Sequence, residues 1–119
     1  MRLLAPFEVV QNAIDVKRFA YNEEVRREVR ASLGISEQCL VVGHVGRFAV
    51  QKNHRFLINV FERLQHDRNA VLILIGNGCL EKDVRSVVHQ KHLDDSVLFL
   101  GFREDVQRFY QAFDVFALP

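Results

Sequence analysis

Arg47 and Lys52 are the residues whose type and spacing most suggest chemistry. They follow an almost unbroken apolar run, Leu40 to Val45, that ends at Gly46. From Phe56 the apolar positions change to helical spacing, Phe56, Leu57, Val60, Phe61 and Leu64. The two cations therefore fall in a strand-to-helix loop. In an open parallel sheet such loops lie at the carboxyl ends of the strands, where ligands bind, and the N–H groups and dipole of the following helix favour an anion. A phosphate is the natural guest. The spacing is not that of a Walker loop, so by itself it fits a phosphate site and a pair of solvated loop charges equally well.

Other candidate constellations fall away on inspection. Gly76-Asn77-Gly78 begins like a dinucleotide fingerprint, but position 81 is Glu81, and the next strand ends in Leu100-Gly101 without an acid for a ribose. A phospho-receiver domain needs carboxylates at strand carboxyl ends, whereas Asp94, Asp95 and Asp114 all precede their strands. His89 and His92 could share a helix face, yet no acidic or cysteine neighbour is evident, so no metal site is expected. His44 interrupts an apolar strand and reads as a hydrogen-bonded core histidine rather than a base. Arg26, Arg27 and Arg30 read as a solvated helix face. Cys39 and Cys79 form no CxxC, which suggests neither zinc nor a disulfide and fits a reducing compartment.

The elements that must position the cations alternate regularly. After an extended segment, Phe7 to Val10, and a turn at Gln11-Asn12-Ala13, a helix is expected from about Asn22 to Leu33. Asn22 would be its N-cap, Glu23 and Glu24 its first turn, and Gly34 its stop. Four apolar runs then read as strands: Leu40 to Gly46, Val71 to Gly76, Val97 to Gly101 and Val115 to Leu118. Helical patterns separate them, the second with Leu80, Val84, Val87 and Val88, the third with Val106, Phe109, Tyr110 and Phe113. Such alternation predicts an α/β fold with an open parallel sheet. With 119 residues, 49% of them hydrophobic, the chain suits one core and at most one ordinary domain. A net charge of +1 argues against a nucleic-acid partner recruited by bulk electrostatics. The apolar run before Pro6 is too short for a signal-peptide core, and no apolar segment is long enough to span a bilayer.

Five landmarks, in order, resemble the nucleotide-sugar-binding domain of family 4 (group 1) glycosyltransferases. They are Asn12-Ala13-Ile14-Asp15 with Phe19, Val45-Gly46-Arg47 followed by Lys52-Asn53, Leu74-Ile75-Gly76-Asn77-Gly78, Val97-Leu98-Phe99-Leu100-Gly101, and Asp114-Val115-Phe116-Ala117-Leu118-Pro119. Each is weak alone, and their register makes the match specific. The nearest subset is the enzymes that build capsular, exopolysaccharide and lipopolysaccharide chains. One departure is Ala13, where many members carry glycine.

The resemblance implies a GT-B enzyme with two Rossmann-like domains facing a cleft. Residues 1–119 would be part of the C-terminal, donor-binding domain, with sheet order 3-2-1-4 and helices on both faces. The acceptor domain and the rest of the donor domain would lie elsewhere. The implied activity is retaining transfer of a sugar, of hexosyltransferase type, from a nucleoside-diphosphate sugar to a glycan or lipid-linked acceptor. It would proceed without a metal or other cofactor, in the cytoplasm and at the inner face of the membrane. Carried over by position, Arg47 and Lys52 would hold the donor diphosphate and stabilise it as a leaving group, and Gly76, Phe102 and Arg103 would lie against the base and ribose. From the residues alone, Phe102 reads equally as a partly buried loop aromatic, Arg103 as an exposed charge and Gly78 as a turn residue.

The alternative class is a non-catalytic nucleotide-binding or interaction module of the same fold. The chain alone is expected to transfer no sugar. In the 3-2-1-4 order the Val115–Leu118 strand is an edge, through which the chain is expected to self-associate.

Overall fold

The computed structural model describes residues 20–117. The Phe7 to Val10 segment, the turn at Gln11-Asn12-Ala13 and the first landmark lie outside them. Helix α1 (Glu23–Ser32) forms as its ends dictate. Asn22 is extended and its Oδ1 accepts from the Val25 N–H at 3.0 Å. At the other end Gly34 is left-handed, φ 72°, and the Gly34 and Ile35 N–H groups return to the Ala31 and Arg30 carbonyls at 3.1 and 2.9 Å. This double closure is a Schellman stop, which a residue with Cβ enters only under strain.

Strand β1 (Leu40–Val45) is followed by a 3₁₀ turn (Val50–Lys52), helix α2 (His54–Asp67), β2 (Ala70–Ile75), α3 (Glu81–Gln90), β3 (Val97–Gly101), the short helix α4 (Val106–Tyr110) and β4 (Val115–Phe116). All four strands are parallel, in the order β3-β2-β1-β4. Leu40 lies opposite Ala70 and Val45 opposite Ile75, while Val42 and Gly43 lie opposite Val115 and Phe116. The chain therefore steps outward from β1 to β3 and then crosses back to the far side of β1. The order reverses between β1 and β4.

Because β1 and β2 are covered on both faces, their sequences are apolar without alternation. On one face Val42, Leu72 and Leu74 pack with Leu57, Ile58 and Phe61 of α2 and Val84, Val87 and Val88 of α3. On the other, Val41, Ile73 and Ile75 pack with Val29 of α1 and Phe109 of α4. Gly43 is required by its neighbour: a Cβ there would overlap the Phe113 ring.

Several expectations are corrected. Strand β4 is described only as Val115–Phe116, with Leu118 outside the described residues. Helix α4 stops at Tyr110, and Phe113 packs from the following turn rather than from a helix. On α2, Phe56 and Val60 are exposed, and the buried stripe is His54, Leu57, Ile58 and Phe61. The largest correction is Arg30, which is 1% exposed. Its guanidinium donates to the carbonyls of Ala112 and Ser36, at 3.2 and 3.0 Å, and to that of Cys39. It lies 3.5 Å from Asp114 Oδ2. Arg26 is half-buried and pairs with Asp114 Oδ1 at 2.6 Å, so of the three arginines only Arg27 remains a surface charge.

Asp114 is the counter-charge for both. Its Oδ2 also accepts from the Val41 N–H at 2.8 Å, tying the lead-in of β4 to β1. Burial pushes the Asp114 carboxyl up, but the Val41 N–H and the two arginines outweigh it and hold the group below the usual carboxylate range. With the folded value depressed, the stabilisation is full above the ordinary aspartate pKa and is lost as pH falls through the folded value. Asp114→Ala leaves Arg30 buried without its charge partner and is expected to destabilise the chain by about 3–5 kcal/mol in urea unfolding. Gly43→Ala is expected to cost about 1–3 kcal/mol by overpacking against Phe113, measured the same way.

Candidate functional site

The carboxyl ends of β1, β2 and β3 are stitched together by backbone alone. The Gly46 N–H donates to the Ile75 carbonyl at 2.9 Å, Phe48 N–H to Asn77 at 3.0 Å, Leu80 N–H to Phe48 at 3.1 Å and Gly76 N–H to Gly101 at 2.8 Å. The chains approach so closely that side chains are excluded. At Gly76, φ 131°, a Cβ would overlap the Gly46 carbonyl oxygen, and at Gly78 it would lie 2.6 Å from that of Phe48. Gly78 is thus more than a turn residue.

This seam fixes the loop that carries the cations. Phe48 is 1% exposed and stacks on the His54 ring, centroids 4.2 Å apart at 13°, with Phe99 behind it at 6.0 Å. Arg47, next to that anchor, stays exposed. After the 3₁₀ turn, Asn53 takes the left-handed conformation, φ 52° and ψ 47°, and makes no side-chain cap on α2. Lys52 is exposed, and its Cδ lies 3.6 Å from where a Cβ of Gly46 would stand. Neither Arg47 nor Lys52 forms an ion pair with any described residue. Two uncompensated cations thus border the start of a helix at the point where the strand order reverses, a setting suited to an anion.

The other expected residues are placed as follows. Gly76 is at the seam, against Gly46. Phe102 follows Gly101 and is 67% exposed. Arg103 is not a free charge: it binds Asp105 at 3.2 Å and lies over the Phe109 ring at 4.7 Å. His89 pairs with Asp94 at 3.3 Å, while His92 lies beyond α3 with φ 59°, so the two do not share a helix face. Among the described residues no three histidine, cysteine or acidic side chains cluster as metal ligands, and Cys39 and Cys79 are both free thiols. A hollow of about 240 Å³ lined by Arg85, Asp94 and the outer side of β3 lies at the sheet edge, away from the strand ends.

His44 is a hydrogen-bonded core histidine, as expected: it is 2% exposed and its Nδ1 lies 3.0 Å from the Ala117 carbonyl. His54, 4% exposed, was not among the expected site residues. Its ring stands edge-on to His44, centroids 4.9 Å apart at 84°. Burial lowers both imidazoles, and Lys52 lowers both further; for His44 the Ala117 hydrogen bond opposes this, whereas His54, beside His44, falls to about 4.

The fold and this site define an α/β protein of the open-sheet class with two exposed cations at its switch point. The particular family follows from comparison: residues 39–119 match the family described as glycosyl transferases group 1, and the chain belongs to it. It is 36% identical over 112 residues to EpsF of Bacillus subtilis (strain 168), a protein to which glycosyltransferase activity is ascribed, covering 93% of this chain and 29% of that protein. It is 26% identical over 110 residues to an N-acetylgalactosaminyltransferase of Campylobacter jejuni, named for a diphospho-undecaprenol-linked substrate, covering 92% of this chain and 27% of that one. Among solved structures, Anabaena HepE in complex with UDP and glucose superimposes with a TM-score of 0.80 at 25% identity, over 93% of this chain and 31% of HepE. The chain thus spans about 30% of the length of such relatives. Its four-stranded parallel sheet and flanking helices are those of GT-B glycosyltransferases.

The depressed value of His54 carries a sign. The folded protein keeps the ring neutral where the unfolded chain, with a pKa near 6.5, takes up a proton, so stability is full above about pH 6.5 and falls as pH drops toward 4. The loss amounts to on the order of 3 kcal/mol. His54→Phe, which preserves the stack on Phe48, is expected to reduce that slope in urea unfolding measured from pH 7 to 4.

Proposed function

We propose that residues 1–119 are part of the C-terminal, donor-binding domain of a retaining family 4 glycosyltransferase. The parent enzyme would move a hexosyl unit from a nucleoside-diphosphate sugar to a glycan or lipid-linked acceptor in polysaccharide biosynthesis. The reading rests on one observation above all: Arg47 and Lys52 stand exposed beside the β1 carboxyl end, with no ion pair to any described residue. The family match and the likeness to a protein solved with UDP and glucose support it.

In this reading the two cations face the donor diphosphate. As the sugar leaves, negative charge concentrates on the diphosphate oxygens, and fixed cations aimed at them favour the transition state over the ground state. That is the service a metal ion gives elsewhere, so none is required. The seam at Gly46 and Gly76 holds the strand ends together beneath the cation loop. Gly76, Phe102 and Arg103 lie toward the base and ribose, with Arg103 restrained by Asp105. Capsule or lipopolysaccharide assembly would place the parent enzyme in the cytoplasm at the inner membrane face. No helix among the described residues is long and apolar enough to cross a membrane.

Calorimetric titration with UDP and UDP-glucose tests the proposal. Binding is expected, unchanged by EDTA, and Arg47→Ala and Lys52→Ala are each expected to weaken it roughly tenfold or more, as for loss of a hydrogen bond to a charged group. Affinities equal to that of the unaltered chain would remove both residues from the site. Incubation of this chain with UDP-sugars and lipid-linked acceptors is expected to give no transfer.

A further inference from the structure

His44 and His54 lie directly beneath the cation loop, and the donor-binding role leaves them unused. His44 Nδ1 faces a carbonyl, which can only accept, so in the neutral ring Nδ1 carries the hydrogen and Nε2 a bare lone pair. That Nε2 is buried and has no hydrogen-bond partner among the described residues, and the same holds for both ring nitrogens of His54. Unpaired buried polar atoms are costly, and each calls for an explanation, a functional role among them.

The geometry shows what His44 Nε2 faces. It lies 3.2 Å from the position a Cβ of Gly46 would occupy, and Lys52 Cδ lies 3.6 Å from the same point. Residue 46 carries no side chain, and the Lys52 methylenes lie beside the point where its Cβ would stand. Among the described residues, the titratable groups facing His44 are Lys52 from the turn before α2, His54 from α2, and, behind Phe116, Tyr110 from α4. Strand β4 contributes Phe116, the residue after it the Ala117 carbonyl, and β2 apolar side chains. In the free protein burial is the main cause that lowers the His44 imidazole, the Ala117 hydrogen bond opposes it and Lys52 lowers it further, so the neutral ring is favoured.

We propose that His44 is a ligand-linked proton acceptor. When a diphosphate neutralises Arg47 and Lys52, His44 Nε2 takes one proton from solvent, and the imidazolium, held by Ala117 through Nδ1, becomes a third cation beneath the anion. The inference rests on the diphosphate-binding reading of the loop. By linkage, affinity then rises as pH falls from 7.5 to 6, because the bound state holds more protons than the free state. UDP-glucose is the suitable probe, since its diphosphate diester has no ionisation of its own in that range.

The test is ¹⁵N NMR of ring-labelled histidines in the chain at pH 6.5, with and without UDP-glucose and, separately, inorganic pyrophosphate. The free protein is expected to show His44 as the neutral Nδ1–H tautomer, and saturation with either ligand to convert it to imidazolium. His44→Asn, which retains a donor toward Ala117, is expected to bind UDP-glucose with an affinity that no longer rises as pH falls. A neutral His44 in the bound state, or failure of both ligands to bind, overturns the proposal. Conversion by pyrophosphate without binding of UDP-glucose upholds it and removes the sugar-donor reading instead. The NMR result on the unaltered chain decides even where the variant fails to fold.

Discussion

The contact on which the site depends is between two backbones. Gly46 and Gly76 meet so closely that a single β-carbon would force the ends of β1 and β2 apart. With it would go the hydrogen bonds that carry the seam on to Asn77 and Gly101. The loop after β1 is held from below by this seam and from the side by Phe48 in its slot against His54. Its cations need no fixing by other side chains. A backbone floor with exposed charged tips can meet an anion without first breaking an ion pair to any described residue.

Most of the fold was legible in the sequence because the sheet is buried on both faces. Such strands must be continuously apolar, and Leu40 to Val45 and Val71 to Ile75 declare themselves without regard to neighbours. The ends of α1 were equally plain, since Asn22 and Gly34 act locally. Arg30 was not legible: a charge on an amphipathic helix reads as solvated until its counter-charge is known, and Asp114 arrives only after the whole sheet has been laid down. Phe56 and Val60 failed for a related reason. Helical spacing marks a stripe of apolar residues, but the depth of the groove decides which of them are covered.

The candidate site was legible in its cations and only partly in its supports. Gly76 and Gly78 were visible as glycines, yet their purpose, to admit the backbone of Gly46 and Phe48, exists only across the β1–β2 pairing. Phe48 and Val50 look interchangeable in the sequence, one residue apart in a loop, but Phe48 is 1% exposed and Val50 81%. The stack on His54 makes that difference. A histidine at the first position of a helix gives no sign of it.

The arginines of this chain show why an unpaired charge is informative here. Arg30 is wholly buried, and its charge is consumed by Asp114 and three carbonyls; Arg103 is half-exposed and held by Asp105 and the Phe109 face. Each is an internal fastening, and drawing either toward a ligand would first break what it fastens. Arg47 and Lys52 have no ion pair with a described residue to give up. Their charge is screened by water and salt until a ligand displaces that water, after which the same charge acts in a lower dielectric and attracts more strongly. A carboxylate placed beside them would have made a surface ion pair worth little to stability and would have competed with every anion that approached. Leaving the two cations above a backbone floor with no ion pair to any described residue costs the fold almost nothing and would leave their field open to a ligand.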